Sequence, residues 1–323
     1  MDPMLPSWAI QMNMLGAKRI PFLFVLDFEI LDPLVIPLSE ISDECIRYNI
    51  SSGIQRNGTS GGDKLKMTIS PVAFEKYKDD FDKVLKAILA GDTYLLNLCY
   101  ATRLADVPSL EFIFENAIAP FRLLFQNRFV VFSPERFVYI EDQYIRTFPM
   151  KGTIDASIPN AANLLMADLK EQEEHATVVD LLRNDLSIVS TTVNVERYRY
   201  LSEVHTSGKK LLQCSSEISG LLPDDYLDKL GDIFYALLPA GSVTGAPKKK
   251  TVDLIKTIEP EPRGHYTGVF GVFDGKMLDS AVMIRMIEKR SDGYYYRSGG
   301  GITYRSDAWQ EYQEMIDKVY IPW

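Results

Sequence analysis

Cysteine is scarce in this 323-residue chain. Its three cysteines, Cys45, Cys99 and Cys214, are odd in number and form no C-x-x-C or zinc-type spacing. That pattern argues against a disulfide framework or a zinc site, and free thiols suit a reducing cytoplasm. Long hydrophobic runs are also missing: no apolar stretch approaches the roughly 18 residues of a membrane span. The first residues show no basic segment followed by an apolar one, so no signal peptide is expected. Basic charge is in deficit, with 35 Lys and Arg against 44 Asp and Glu and a formal net charge of −9. A nucleic-acid partner needs a basic face and is therefore disfavoured; an anionic ligand would need cations concentrated locally. There are no internal repeats or low-complexity tracts, and no P-loop or dinucleotide fingerprint.

What is present is ordinary globular composition, 46% hydrophobic and 24% charged, in a chain long enough to bury a large core. The apolar, β-rich stretch 21–27 reads as a buried strand, and 51–63, with four glycines, as a loop. Phe74, Tyr77, Phe81, Val84, Leu85 and Ile88 recur at helical spacing, with Gly91 as the stop. Residues 94–103 read as a strand, and the short apolar runs from 121 to 148 as an antiparallel meander. Asn160 is placed to cap a long helix to about Leu182. Residues 226–238 read as a helix, 239–247 as a Gly/Pro-rich loop, and Pro247 opens a helix toward Ile258. Residues 268–273, 278–288 and 294–298 read as antiparallel strands, and 307–320 as a closing helix. Strands and helices are grouped rather than alternating, which favours an α+β fold over a doubly wound parallel one. The chain reads as a single unit over 1–323, with N-terminal strands and a loop to residue 70 and a core from 71.

Several constellations can carry chemistry. Glu171, Glu174 and His175 stand at i, i+3 and i+4 of one helix, and Glu311, Glu314 and Lys318 repeat acidic helical spacing near the C-terminus. Either run alone is more often a solvated face; together they could supply hard oxygen ligands to Mg²⁺. Lys151, in Phe148-Pro149-Met150-Lys151-Gly152-Thr153, lies between apolar residues and a glycine at a strand end. Partial desolvation and nearby cations would lower its pKa and yield a nucleophilic amine, although a surface lysine beside a turn is the commoner reading. Two glycine-rich segments, 239–248 and 297–302, can bring backbone N–H groups to a carboxylate or be plain turns. Glu135 could be a general acid or a salt-bridge partner of Arg136. His205 precedes Thr206-Ser207-Gly208; Tyr266 and Arg285 could clamp a carboxylate or pack structurally.

The order of these segments is more specific than any one of them. Lys151-Gly152-Thr153 comes first, then Glu174-His175 with Asp180-Leu181-Leu182-Arg183-Asn184-Asp185. The 241–248 loop, Arg263-Gly264-x-Tyr266-x-Gly268, Asp279 to Arg285, Gly299 to Ile302 and Glu311 to Lys318 follow. Over about residues 70–320 this resembles the chorismate-binding family, which includes anthranilate synthase component I, aminodeoxychorismate synthase component I, isochorismate synthase and salicylate synthase. The resemblance implies one large α/β sandwich of antiparallel sheets flanked by helices. It implies Glu174 and Glu314 as Mg²⁺ ligands, with Glu171 and Glu311 as outer acids. The ring carboxylate would meet Lys318 and the amides of Gly299, Gly300 and Gly301; Tyr266 and Arg285 would hold the enolpyruvyl carboxylate. Ser242 and His205 would line the ring, and Glu135 would protonate the departing 4-hydroxyl.

Two positions separate the branches within that resemblance. Lys151 resembles the lysine of aminodeoxychorismate synthases, where anthranilate synthases usually carry alanine. Leu95 stands where isochorismate and salicylate synthases have a water-activating lysine and amino-transferring members often have glutamine. The expectation is therefore a cytoplasmic enzyme that aminates chorismate at C4 with ammonia for the folate branch. No Cys–His–Glu nucleophile module fits this sequence, so a glutamine amidotransferase subunit is expected as partner. Anthranilate synthase component I is the alternative, and a non-catalytic chorismate-binding protein a further one.

Overall fold

A computed structural model describes residues 5–50, 67–206 and 209–323; the loop expected at 51–63 lies outside them. Eight α-helices are described: α1 Ser7–Ala17, α2 Phe74–Leu89, α3 Leu110–Asn116, α4 Ala161–Ala167, α5 Leu169–Val189, α6 Leu230–Leu237, α7 Lys248–Ile258 and α8 Ala308–Asp317. The first ten strands are β1 Phe22–Leu26, β2 Leu34–Pro37, β3 Ile46–Ile50, β4 Thr68–Ser70, β5 Leu95–Ala105, β6 Phe121–Phe125, β7 Phe129–Ser133, β8 Arg136–Glu141, β9 Tyr144–Thr147 and β10 Met150–Asp155. Seven follow: β11 Thr192–Thr206, β12 Lys209–Leu221, β13 Gly245–Ala246, β14 Val269–Phe273, β15 Leu278–Val282, β16 Met286–Arg290 and β17 Gly293–Ile302.

These strands form two sheets. One runs β10-β12-β9-β8-β15-β14-β1-β2 with β11 on β12, the other β13-β5-β17-β16-β7-β6-β3 with β4 on β5. Every described pairing is antiparallel, as grouped elements led us to expect. β1 shows how the layers stack. All five of its residues are buried, because successive side chains face opposite sides and both sides are covered. Leu23 and Val25 pack between the sheets with Phe121, Leu123, Phe129, Phe270 and Met286. Phe22, Phe24 and Leu26 face the other way, onto a core with Trp8 of α1, Leu182 of α5 and Phe234 of α6. Outside the second sheet, α2, α7 and α8 pack through Tyr77, Phe81, Ile255 and Met315. The result is a helix–sheet–sheet–helix sandwich, the α+β architecture expected from the sequence.

Three local expectations need correction. The runs from 121 to 148 form two hairpins, β6–β7 and β8–β9, which lie in different sheets. The chain changes sheet at Pro134, which has no N–H to continue a ladder. Likewise 278–288 is two strands, β15 in one sheet and β16 in the other, broken at Met283–Arg285 where Arg285 takes φ 53°. The long helix from Asn160 is α4 and α5, separated at Asp168. Asn160 is itself left-handed and makes no cap bond, whereas the Asp168 carboxylate accepts from the Glu171 N–H and starts α5.

Candidate active site

The two sheet crossings meet side by side. Phe132 N–H donates to the Arg285 carbonyl, and Val282 N–H donates to that of Glu135. Strands that part here cannot close their seam with side chains from both sheets, and a cavity of about 430 Å³ opens beside it. Glu135, Lys151, Glu174, Ser242, Tyr266, Arg285, Gly299, Gly301, Glu314 and Lys318 all line this cavity. Residues spread over 184 positions of sequence thus converge in a volume typical of small-ligand sites.

Glu135 is carried in by the crossing itself. Its Oε1 accepts a hydrogen bond from Ser242 Oγ at 2.6 Å. Burial raises its pKa and prevails over the lowering effects of Ser242, Lys151, Lys318 and Arg285, as desolvation disfavours the charged form. It does not pair with Arg136, whose guanidinium forks onto Asp279 at 2.8 and 3.0 Å.

Lys151 enters through an irregularity in β10. Met150 pairs with Ser215 and Thr153 with Gln213, so the register slips across Lys151-Gly152. Such bulges re-aim a side chain. Gly152 has φ +80°, and a Cβ there would lie 2.9 Å from Glu171 Oε2 and from Leu165. Lys151 Nζ is 3.1 Å from Glu174 Oε2. The expected depression of its pKa is not found. Burial lowers it, but Glu174, Glu314 and Glu171 outweigh burial and the net shift is upward. In this structure Lys151 is an ammonium ion held by carboxylates.

The two carboxylate walls come from α5 and α8. Glu174 faces the cavity while the adjacent His175 is fully buried, its Nε2 2.6 Å from Ser216 Oγ. Burial, Arg199 and Lys151 hold His175 down to about 4, so it is neutral. On α8, burial pushes the Glu314 carboxyl up, but Lys318 at 2.7 Å, together with Lys151 and Lys170, outweighs burial and keeps that carboxyl low. Glu171 and Glu311 do not line the cavity. Glu171 sits beneath Gly152 and Glu311 accepts from Ser306 at 2.8 Å. Burial raises both, and the neighbouring Glu174 and Glu314 charges add to it. Among the described residues no three acidic, histidine or cysteine side chains converge tightly enough for a closed metal cage. Glu174 and Glu314 nevertheless line one cavity and offer carboxylate oxygens of the kind taken by Mg²⁺, a hard cation that keeps waters or takes substrate oxygens.

The glycine segment 299–301 is the end of β17, not a loop, and it pairs along its length with β5. Parity then decides which amides are free. Cys99 N–H donates to Glu259 and Asn97 N–H to Thr244, both away from β17. Their partners Gly299 and Gly301 are therefore in non-bonded pairs and turn their backbone groups to the open edge; Gly300 takes the bonded position. Consistent with this, Lys318 Nζ donates to the Gly299 carbonyl at 2.7 Å, and Gly300 is absent from the cavity lining. The expectation of three available amides is corrected to two. Gly299 itself is required by close approach: a Cβ would lie 2.4 Å from the Leu98 carbonyl oxygen.

Arg285 donates to the Lys318 carbonyl at 2.5 Å and stacks over Tyr320, so its fork is fixed at the cavity beside buried Tyr266. His205 lies in β11 opposite Lys210, but its side chain falls outside the described residues. The β11–β12 hairpin instead contributes Gln213 to the cavity. Sequence reasoning also passed over Asn97, Thr177, Arg297 and Arg305, which line it. Arg263 was noticed only within a motif. It is 1% exposed and binds Glu259, the carbonyls of Val243 and Asn97, and Thr267, bracing the 241–245 loop against β5.

The family model described as chorismate binding enzyme matches residues 39–322. An uncharacterised PabA-like protein of Haemophilus influenzae is 46% identical over 314 residues, covering 97% of this chain and 95% of its own. Aminodeoxychorismate synthase component 1 of Salmonella typhimurium is 32% identical over 259 residues, 76% of this chain; the match spans 56% of that longer protein. Among solved structures, anthranilate synthase component I of Streptococcus pneumoniae aligns with TM-score 0.64 and 26% identity, over 80% of this chain and 60% of that one. The menaquinone-specific isochorismate synthase of Escherichia coli aligns with TM-score 0.70 and 18% identity, over 95% and 79%, a likeness of fold.

Proposed function

The chain belongs to the chorismate-binding enzymes, and within that family we propose that it is the synthase component that converts chorismate and ammonia to 4-amino-4-deoxychorismate. The observation that carries this reading is Lys151, brought by its bulge into the cavity that also holds buried Glu135 and the carboxylates Glu174 and Glu314. A lysine placed to act as nucleophile once it gives up its proton, a carboxyl whose pKa burial raises, and two carboxylates able to hold a cation are then in one enclosure.

Chorismate is a dicarboxylate. Tyr266 and Arg285 orient its enolpyruvyl carboxylate; Lys318 and the open amides of Gly299 and Gly301 face the ring carboxylate. Mg²⁺ held by Glu174 and Glu314 would neutralise that carboxylate and take up the Glu174 charge that now holds the Lys151 proton. Lys151 gives its proton to water and its amine attacks C2. Both ring double bonds shift by one position so that the new ones are C1=C6 and C4=C5, and the C4–O bond breaks as Glu135 gives its proton to the departing hydroxyl, which leaves as water. Ammonia attacks C4, both double bonds shift back, the lysine nitrogen leaves C2 as a neutral amine, and the new C4 ammonium group returns a proton to Glu135. Ser242, through its bond to Glu135, fixes the acid's direction. Ammonia would come from a glutamine amidotransferase subunit, in keeping with the words "component 1" in the relatives' names. Leu95 lines the cavity with a side chain that cannot activate water, so isochorismate is not expected. Anthranilate synthesis is the second reading, supported by a 33% identical relative, anthranilate synthase component 1 of Haloarcula marismortui.

The test is chromatographic identification of what forms from chorismate, Mg²⁺ and an ammonium salt. The expected product is 4-amino-4-deoxychorismate; anthranilate or isochorismate as the main product would overturn the assignment.

A further inference from the structure

The cavity mouth carries an ion pair that the chemistry above does not use. Lys170, Glu173, Glu174 and Thr177 form the cavity-facing stripe of α5, at the i, i+3, i+4, i+7 spacing of one helical face. Opposite them, between β17 and α8, Thr303, Tyr304 and Arg305 form the other lip. Arg305 Nη1 reaches across to Glu173 Oε2 at 2.6 Å, both side chains 55% exposed. The guanidinium also lies 5.2 Å from the centroid of the Tyr304 ring.

We propose that Arg305 is an outer docking position for a carboxylate of the incoming substrate, and that Glu173 is a built-in competitor which the substrate displaces. This rests on the reading of the substrate as a dicarboxylate. Three features carry it. A chain of net charge −9 repels a dianion, so capture needs cations at the entrance, where a cleft focuses their field; the lips supply Arg305 and Lys170, the latter 60% exposed. An exposed pair is weakly bound because water competes for both ions, so exchanging one carboxylate for another on the same planar fork costs little. Tyr304 holds the guanidinium at the lip when Glu173 lets go.

The alternative is a static clamp that ties α5 to the loop before α8. The two separate under a pair of neutral variants, R305Q and E173Q, with R305K as rescue. Steady-state kinetics and stopped-flow association of chorismate are measured at low and high salt. Docking lowers kcat/KM and the association rate in R305Q about tenfold at low salt, leaves kcat in place, and flattens the salt dependence. R305K recovers part of that dependence, and E173Q matches or exceeds wild type in association rate. A clamp makes both neutral variants lose activity together. Equal losses in R305Q and E173Q, or no change in R305Q, would overturn the proposal. If wild-type protein binds chorismate but releases another product, the proposed function fails while these variants still decide docking; if it binds no chorismate, both fail.

Discussion

Within the cavity, three carboxylates hold Lys151 as an ammonium ion while burial raises the pKa of Glu135, so the two groups are set in opposite senses by their neighbours. Glu135, Lys151, Glu174, Ser242, Tyr266, Arg285, Glu314 and Lys318 were all singled out from the sequence and share one cavity. The direction of the Lys151 shift went the other way because three carboxylates from α5 and α8 face it, a balance that only assembly reveals. Gly300 failed as an available amide for a reason of parity, set by which way β5 turns its N–H groups. Two predictions belong at this scale. Glu174→Ala and Glu314→Ala each remove a cavity carboxylate, so Mg²⁺-dependent turnover should vanish while circular dichroism is unchanged; near-normal Mg²⁺-dependent activity in either would remove them as ligands. Glu135 acts as donor only when protonated, and burial raises its pKa above the ordinary 4.5. Activity should therefore fall on the alkaline side as pH rises through that raised value, and Glu135→Gln should lose roughly 10²–10⁴-fold in kcat. Linkage has the same sign. A raised folded-state pKa gives stability that is full below the unfolded value and is lost as pH rises through the folded one. Urea titrations of Glu135→Gln should thus show less loss of stability in that window than wild type; an identical pH profile would mean that Glu135 is not a buried, protonated acid.

Elements were legible where periodicity is strong. β1, α2 and α8 fall where apolar spacing put them, and Gly91 ends α2 with φ +80°. Periodicity does not say which sheet a strand joins, and the two sheet crossings were missed. Pro134 was the only local sign of the first; Arg285, at positive φ, gives no sign of the second. Those crossings make the site, since they place Glu135 and Arg285 at one seam. The β10 bulge is the third device of this kind and is directly testable. Gly152→Ala must hold a left-handed residue, at about 1–2 kcal/mol, and must push aside Glu171 and Leu165, which would stand 2.9 Å from the new Cβ. We expect a modest fall in the unfolding midpoint and a larger fall in kcat than any rise in KM, because Lys151 is displaced while the carboxylate clamps remain. A kcat equal to wild type would show that the bulge does not position the lysine.

For the whole molecule, composition disfavours a nucleic-acid partner and offers no apolar run of membrane-spanning length. No described helix is long and apolar enough to cross a membrane. The fold class was legible from the grouping of elements, but the sandwich order was not, because it depends on both faces of β1 being covered by residues remote in sequence. Helix α1 lies before the family match and packs onto α6, where Asn13 Oδ1 accepts from the Gly231 N–H at 2.6 Å. Through α6 it supports the segment that carries Ser242 to Glu135. The proposed function turns on one chemical event, a bond between Lys151 and C2 of chorismate, and mass spectrometry can test for it. Protein incubated with chorismate and Mg²⁺ but no ammonia should carry an adduct of chorismate less one water, mapped by peptide analysis to Lys151. Added ammonium should discharge it as 4-amino-4-deoxychorismate, and Lys151→Ala should carry none. A Lys151→Ala protein that made the same product at the wild-type rate, with no adduct on the wild type, would contradict the account.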